Sequence, residues 1–347
     1  AFCTPLERRR YSRSDQLALI ASTEALKDAG LLESGVNRDE VGVMLGAGTN
    51  DLLRNEKYFA DLLAIGIRHA RLANVVDYFN DQPIDTVARR FGLGGPRACP
   101  MSACSSSAVA IGYAADLVRS GHADAMLAGG SDALCRITLS GFNALRLVDS
   151  EPCRPFDVTR SGMNIGEAGA VLVLESLERA RARGAHVYSE LAGYAAYCEA
   201  YHPTAPEPEG AAVAALLSAT LRAAGVQADE IDHVNAHGTA TVQNDKTEAK
   251  GLRSVFGDRL ASIPVTSTKS MHGHCLGAAG AIEAAVLALT IDRGIIPPTI
   301  NHRQTDPECA VDVVANTART QQVRCGLSTS LAFGGTDAAL VMRQLAS

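Results

Sequence analysis

Residues 40–49 read EVGVMLGAGT, and residues 230–239 read EIDHVNAHGT. Each stretch has the apolar run of a buried strand followed by a glycine turn, and the two align without a gap. A helical segment that ends at a glycine precedes each of them, at 14–30 and at 216–225. The same α/β unit therefore occurs twice in the chain.

A second pair of segments matches in the same order. Residues 104–121 (CSSSAVAIGYAADLVRSG) and 274–294 (HCLGAAGAIEAAVLALTIDRG) both predict helices rich in small residues. The first opens on Cys104 and the second on His274, so we expect these two residues to occupy equivalent positions. A duplicated fold explains both matches more simply than chance does.

Helical and strand-like segments alternate along the whole chain, which predicts an α/β fold. We expect the division between the two copies in the charged stretch SLERARARGAH, giving an N-terminal half of residues 1–180 and a C-terminal half of residues 181–347. The copies differ at positions suited to chemistry, such as Ala47 against His237. We therefore expect the functional site where the two halves meet.

The composition is that of a globular protein, with 347 residues of which 47% are hydrophobic and 20% charged. A net charge of −6 argues against nucleic-acid binding. The basic start LERRRYSR is either a local patch or a solvated helix face. Nine cysteines without a CxxC pair favour reduced thiols, and neither a signal peptide nor a run of about 18 apolar residues occurs. We expect a cytoplasmic protein that does not enter membranes.

Cys104 lies in PMSACSSSAVAIG, among small residues and directly before a predicted helix. Free N–H groups and the dipole at a helix N-terminus stabilise a thiolate. We therefore expect Cys104 to have a lowered pKa and to act as a nucleophile. The alternative is an inert buried cysteine, which suits most of the others.

Two histidines and a lysine complete the candidate site. His237 ends a predicted strand at a glycine turn, where α/β folds place their sites; a histidine bonded within its own loop is the alternative. Lys269 stands among apolar and hydroxyl residues, and His274 follows in the same stretch. A buried lysine needs an anionic partner, for which Glu248 and Glu283 are the candidates.

The run His272-Gly-His274-Cys275 raises the alternative of a metal site. Closed zinc sites use four ligands, usually as two spaced pairs, and no second pair is evident. We therefore expect no metal. The turn LAFGGTD (331–337) follows a predicted strand and could offer backbone N–H groups to an oxyanion, although glycine pairs also occur in ordinary surface loops.

These motifs, in this order, resemble a β-ketoacyl-acyl-carrier-protein synthase of the elongating type II kind, in the thiolase superfamily. The resemblance covers almost the whole chain and rests on SAC with its helix, MLAGGSDA, RPFD, GEAGAVLVLE, VNAHGTAT, STKSMHGHCLGAAG, PPTIN and AFGGTD. It implies the thiolase fold, with duplicated α/β halves in a layered α-β-α-β-α architecture. It also implies a homodimer, with a ketosynthase-like heterodimer as the alternative.

The resemblance further implies a decarboxylative Claisen condensation. Cys104 would take an acyl chain from an acyl-carrier protein, and His237 with His274 would promote decarboxylation of malonyl-acyl-carrier protein. The carbanion would then attack the acyl thioester and extend a fatty-acid or polyketide chain by two carbons. Phosphopantetheine arrives on the carrier protein, so no other cofactor is expected. The alternative is a non-catalytic, chain-length-factor-like subunit, against which Cys104 and both histidines argue.

Other roles are implied position by position. Backbone N–H groups of Cys104 and Phe333 would form an oxyanion hole, and Phe333 resembles the family's gating phenylalanine. The remaining matched positions are substrate or pantetheine contacts at Phe142, Thr204, Thr239 and Thr241, supporting residues at Lys269, Glu283, Gly334 and Gly335, and carrier-protein docking residues at Arg9, Arg10 and Arg146.

The chain also departs from the family pattern. The family's first strand and helix, with a VVxTGLG-like segment, have no counterpart, which indicates either a partial sequence or a sheet that lacks one strand. Leu331-Ala332 replaces Phe-Gly, while Val242 and Gln243-Asn244 replace a proline and a small pair. The stretch VVDYFNDQPID (75–85), expected at the acyl pocket across the dimer, does not follow the common pattern. Acyl chain length and pathway are therefore not predicted.

Overall fold

The computed structural model describes residues 3–50, 52–76 and 82–345. Its helices are α1 (Pro5–Arg10), α2 (Arg13–Ala29), α3 (Leu53–Ile65), α4 (Ala73–Val76), α5 (Gln82–Phe91), α6 (Ser106–Arg119), α7 (Arg136–Ala144), α8 (Leu177–Ala182), α9 (Ala211–Ala224), α10 (Val242–Phe256), α11 (Lys269–His272) and α12 (Ala279–Arg293). Within the described ranges, no helix combines the length and the apolar character needed to cross a bilayer.

The strands form two main sheets and one short two-stranded ribbon. They are β1 (Val41–Gly46), β2 (Arg97–Ala98), β3 (Ala125–Asp132), β4 (Ala168–Glu175), β5 (Glu190–Cys198), β6 (His233–Asn235), β7 (Pro264–Thr266), β8 (Ile295–Ile296), β9 (Asp312–Val313), β10 (Arg319–Thr320), β11 (Cys325–Ser330) and β12 (Thr336–Arg343). Helices flank both main sheets, which confirms the predicted α/β class.

The two main sheets share one strand order. In the first, β2-β1-β3-β4, strand β1 runs parallel to β2 and β3, and β3 pairs antiparallel with β4. In the second, β5-β12-β11-β6-β7-β9, strand β6 runs parallel to β7 and β11, and β11 pairs antiparallel with β12. The run β2-β1-β3-β4 thus has its counterpart in β7-β6-β11-β12, which agrees with the sequence repeat. Helix α8 lies at the expected boundary near residue 180, whose position stays a prediction.

Helices α6 and α12 lie side by side between the two sheets. Their small residues allow close packing, and both share a hydrophobic cluster with Met126 of β3 and Leu340 of β12. Because side chains alternate along a strand, the next residue of β3, Leu127, packs on the opposite face with α2 and α5. Helices α9 and α10 cover the second sheet in the same way. The result is the expected α-β-α-β-α order of layers.

Local signals in the sequence determine where the repeated helices stop. Helix α2 begins after Ser12, whose hydroxyl accepts the N–H of Asp15, while the Asp15 carboxylate accepts the N–H of Ser12. It ends at Gly30, which has a φ of 58°, and α9 ends in the same way at Gly225, with a φ of 63°. Glycine adopts this backbone at less cost than residues with a Cβ, and both predicted glycine stops are confirmed.

The two central helices are equivalent, but with a different register from the one that the sequence predicts. Ala103 and Leu276 both have a φ of 50° and both open a short 3-10 turn that leads into α6 or α12. The counterpart of Cys104 is therefore Gly277, and the predicted equivalence of Cys104 with His274 is wrong. His274 precedes that turn, in extended backbone that bridges to Ile165. Alanine-rich helices match at several offsets, so composition alone did not determine the register.

Close packing of α6 on β1 predicts a large cost for a single added methyl group. A Cβ at Gly46 would lie 2.3 Å from the backbone carbon of Ser106, at the start of α6. We expect Gly46→Ala to lower the free energy of unfolding by about 1–3 kcal/mol, as measured by urea denaturation. Gly141→Ala in α7 is the control, because that position has open space around it. Equal free energies of unfolding for Gly46→Ala and Gly141→Ala would contradict the close packing of α6 on β1.

Candidate active site

Residues from both halves of the sequence line a cavity of about 350 Å³, most of them in the loops that connect strands and helices. The predicted site residues in its lining are Cys104, Phe142, Arg146, Thr204, His237, Thr239, Thr241, His274, Phe333, Gly334 and Gly335. Lys269 and Glu283 are buried behind this wall. The structure therefore brings together in one place most of the residues that the sequence analysis singled out.

Cys104 lies in the 3-10 turn that leads into α6, directly after the left-handed residue Ala103. Only 7% of Cys104 is exposed, and this burial raises the pKa of the thiol to about 12, although the Lys269 cation and the Phe333 N–H oppose the rise. The predicted lowering of the Cys104 pKa is therefore wrong, because desolvation outweighs the favourable helix terminus.

His237 follows β6 in a turn that a buried carboxylate holds. Glu248 on α10 accepts the backbone N–H of His237 and that of Gly238, both at 2.8 Å, and the hydroxyl of Thr329 at 2.6 Å. Glu248 was one of two candidate partners for Lys269. The structure instead uses it to fix the His237 turn, a role that the sequence pattern did not indicate.

Lys269 is the link between His237 and the second carboxylate. Its ammonium group forms a fully buried ion pair with Glu283 and donates to the carbonyl oxygen of His237 at 2.7 Å. It also lies 3.3 Å from Nδ1 of His237. An ammonium group only donates hydrogen bonds, so Nδ1 is the acceptor and the proton of the neutral imidazole is on Nε2. Glu283 is therefore the anionic partner of Lys269.

His274 completes the pair of imidazoles. Its ring centroid lies 5.3 Å from that of His237, with the ring planes at 86°. His274 is buried, and neither of its ring nitrogens has a hydrogen-bond partner within the described part of the chain. Burial, together with the Lys269 cation, holds the pKa of both histidines well below 6.5, so both rings are neutral at neutral pH. The cavity thus contains two neutral imidazoles that can donate N–H groups to one ligand.

Family models match both parts of the chain. Residues 3–180 match the model for the N-terminal domain of β-ketoacyl synthases, and residues 188–303 match the one for the C-terminal domain. The chain belongs to the β-ketoacyl synthase family. The resemblance that the motifs indicated is thereby confirmed.

Individual relatives of this synthase family agree over nearly the whole chain. Nodulation protein E of Rhizobium meliloti (strain 1021) is 40% identical over 344 residues, which cover 98% of this chain and 85% of the relative. For 3-oxoacyl-acyl-carrier-protein synthase 2 of Staphylococcus aureus (strain N315), the identity is 38%, with 97% and 83% covered. A solved structure of the ishigamide ketosynthase/chain length factor superposes with a TM-score of 0.94 at 36% identity and covers 99% of this chain and 84% of the other. The predicted thiolase-like fold is confirmed by this likeness to a ketosynthase.

The two residues that flank His274 in the histidine-rich run, His272 and Cys275, are not part of the cavity lining. His272 hydrogen-bonds the hydroxyl of Thr268 and the carbonyl oxygen of Gly273, and Cys275 is packed against the backbone of Gly166. Within the described ranges, no three His, Cys, Asp or Glu side chains are grouped to hold a metal ion. The histidine-rich run therefore divides into one cavity residue and two residues bonded to neighbouring backbone and hydroxyl groups.

Polar and aromatic residues form the outer part of the ketosynthase cavity. The hydroxyl groups of Thr239 and Thr241 lie 3.0 Å apart, and the rings of Phe142 and Phe333 lie 5.5 Å apart. Two acidic residues that the sequence analysis missed, Glu199 and Asp337, also line the wall. Asp337 is the last residue of the AFGGTD motif but had no role assigned to it, and Glu199 lies outside the quoted motifs.

The three arginines implied as docking residues are all exposed. Arg146 lines the cavity, whereas Arg9 and Arg10 lie on α1, outside the lining. Their joint role in docking stays a prediction. The stretch 75–85, expected at the acyl pocket, lies partly outside the described residues.

Proposed function

We propose that this chain catalyses decarboxylative Claisen condensation of a Cys104-bound acyl chain with malonyl-acyl-carrier protein, extending the chain by two carbons. The observation that carries the proposal is one cavity that joins the Cys104 thiol to two buried neutral imidazoles, one of which has no hydrogen-bond partner among the described residues. A nucleophile and paired N–H donors are what acyl storage and enolate formation require.

The first step is transfer of the acyl group. The sulfur of Cys104 attacks the carrier thioester, the thiol gives up its proton, and the released pantetheine sulfur takes a proton. The negatively charged oxygen of the tetrahedral intermediate accepts hydrogen bonds from the backbone N–H groups of Cys104 and Phe333, which form the oxyanion hole. Because burial raises the pKa of the thiol, the proton leaves only as the carbon–sulfur bond forms.

The second step is condensation. Loss of CO₂ from the malonyl group leaves an electron pair that forms an enolate, and the enolate oxygen accepts N–H groups from His237 and His274. The carbanion attacks the acyl carbonyl and expels the Cys104 thiolate, which is then reprotonated. Lys269 keeps the proton of His237 on Nε2, the nitrogen that is free to face the enolate. Side chains and carrier-borne phosphopantetheine supply all the groups that these steps need.

The partners follow from the same proposal. One relative is by name a 3-oxoacyl-acyl-carrier-protein synthase, and one structural neighbour is a ketosynthase with a chain length factor. We propose that this chain takes acyl and malonyl thioesters from an acyl-carrier protein, that the exposed Arg9, Arg10 and Arg146 contact that carrier, and that the chain works as a homodimer or beside a chain-length-factor-like subunit. Thr204, Thr239, Thr241 and Phe142 would contact the pantetheine arm.

Intact-mass measurement after incubation with acyl-acyl-carrier protein tests the proposal. We expect one acyl adduct, mapped to Cys104 by peptide analysis and lost in Cys104→Ala. Cys198→Ala is the matched control, because Cys198 is an exposed thiol that should not affect loading. Absence of an adduct from the folded wild-type protein would sink the enzyme proposal and favour a non-catalytic partner subunit.

The lowered histidine pKa values predict the acid side of the pH profile. Imidazoles of ordinary pKa would be half protonated near pH 6.5, whereas His237 and His274 stay neutral below it. We therefore expect malonyl decarboxylation, followed as CO₂ release, to keep its rate between about pH 7.5 and pH 6. A loss of rate centred near pH 6.5 would contradict this environment for the two rings.

A further inference from the structure

A buried carboxylate joins the two halves of the chain, and the proposed mechanism does not use it. Asp132, the last residue of β3, is fully buried. Its Oδ1 accepts the backbone N–H groups of Thr49 at 3.0 Å and Asn50 at 2.6 Å. Its Oδ2 accepts those of Gly48 at 2.8 Å and Gly277 at 2.6 Å. We call Asp132 with these four N–H groups the carboxylate clamp, which ties the turn after β1 to the turn before α12.

The segments in the carboxylate clamp are the counterparts of those around the candidate active site. Gly277 is the counterpart of Cys104, and the turn that begins at Gly48 aligns with the one that follows His237. A Cβ at Gly277 would lie 2.2 Å from the backbone nitrogen of Gly48. The turn before α12 therefore has no room for a side chain at the position of the nucleophile. Its N–H group binds Asp132 instead.

Ser106, two residues after Cys104, fixes the turn that carries the nucleophile. Its hydroxyl oxygen accepts the backbone N–H of Ser102 at 2.9 Å and lies 2.7 Å from the carbonyl oxygen of Ala103. Ala103 has a φ of 50°, which is left-handed backbone that a residue with a Cβ adopts only at a cost. The Ser106 hydroxyl thus holds both sides of the strained residue that directly precedes Cys104.

The same hydroxyl connects this turn to the carboxylate clamp. Oγ of Ser106 lies 3.1 Å from the carbonyl oxygen of Ala47, the residue directly before the turn that Asp132 holds. A hydroxyl group has one proton, so the carbonyl oxygens of Ala47 and Ala103 share it. A shift of the turn after β1 would therefore move an acceptor of Ser106 and weaken the support of the Ala103 backbone.

We infer that Asp132 and Ser106 are positioning residues, which together keep the Cys104 sulfur aligned with the backbone N–H groups that receive the acyl carbonyl oxygen. Neither side chain is part of the described cavity lining, so both act through the backbone of the turn. The inference rests on the proposed function, because acyl transfer is the step that needs this alignment. A displacement of about 1 Å can slow a reaction by about 100-fold.

The rate of acyl loading on Cys104, followed by intact mass with acyl-acyl-carrier protein, tests the inference on the full chain. Asp132→Asn keeps the size of the side chain but turns an NH₂ group toward N–H donors of the clamp. Ser106→Ala removes the hydroxyl that links the clamp to Ala103. We expect each variant to load about tenfold more slowly than wild type. The double variant should load no more slowly than the slower single variant, because both changes act through one connection.

Alkylation by iodoacetamide separates alignment from folding. This reagent needs the Cys104 thiol but not the N–H groups that receive an acyl carbonyl oxygen, so we expect Cys104 to react at the wild-type rate in both variants. Cys309 is fully buried and should stay unmodified while the fold is intact. Ser131→Ala is the matched control, because its buried hydroxyl contacts that of Ser14 rather than the clamp, and it should load at the wild-type rate.

Slower loading with unchanged alkylation would support the positioning role. Loading of the single variants at the wild-type rate would overturn it, and so would effects that multiply in the double variant or a parallel loss of loading and alkylation. If Asp132→Asn exposes Cys309 and so does not fold, Ser106→Ala decides between these results. A folded wild-type protein without any adduct would refute the proposed function itself, which distinguishes that failure from one confined to Asp132 and Ser106.

Discussion

Cys104→Gln is expected to abolish acyl loading and condensation while malonyl decarboxylation continues. Loss of the nucleophile should lower condensation by roughly 10⁴-fold or more, because the described lining of the cavity has no second thiol to hold the acyl chain. Decarboxylation depends instead on N–H donors that stabilise the enolate, and these come from His237 and His274. The glutamine carbonyl can also accept the backbone N–H groups that otherwise meet the acyl carbonyl. The two activities are measured as product mass and as CO₂ release.

The double variant Cys104→Gln/His274→Ala tests whether the imidazoles carry the decarboxylation. The His274 side chain has no hydrogen-bond partner in the described part of the chain, so its removal breaks no hydrogen bond there. We expect decarboxylation to fall by about 10²–10³-fold relative to Cys104→Gln alone. If Cys104→Gln itself released no CO₂ although it folded normally, the assignment of decarboxylation to the imidazoles alone would be wrong.

Local sequence patterns were sufficient to predict the repeated fold and the position of the cavity. Apolar runs that end in glycine turns gave strand β1 and strand β6, and the glycines that stop α2 and α9 are visible directly in the sequence. These features depend on residues that are close together in the sequence, so a single sequence is enough to predict them. Family-specific motifs then identified Cys104, His237 and His274, which the structure places around one cavity.

Properties that depend on burial or on distant contacts were not predictable in the same way. A helix terminus suggested an acidic Cys104, but enclosure of its sulfur raises the pKa instead. Lys269 had two possible partners at similar distances along the chain, and only the folded arrangement selects Glu283. The hydrogen bond from the N–H of Glu199 to the carbonyl oxygen of Gly335 likewise joins segments that are distant in the sequence.

Lys269→Met is expected to have large effects on both stability and activity. The side chains of Lys269 and Glu283 are 1% and 0% exposed, so removal of the cation leaves an uncompensated buried carboxyl group. We expect the free energy of unfolding to fall by about 3–5 kcal/mol. The loss should be smaller at low pH, because burial already raises the pKa of Glu283 to about 7 and a protonated carboxyl group is tolerated inside the protein. Urea denaturation at pH 5.5 and pH 8 measures both effects.

The double variant Lys269→Met/Glu283→Leu separates folding from chemistry. Replacement of a buried ion pair by apolar residues of similar volume is often neutral, so stability should return to within about 1 kcal/mol of wild type. Decarboxylation should nevertheless stay about 10²-fold low, because nothing then keeps the proton of His237 on Nε2 and the enolate loses one oriented donor. Recovery of both stability and rate would mean that Lys269 serves only the fold. Recovery of stability alone would identify the lysine as the residue that orients the catalytic imidazole.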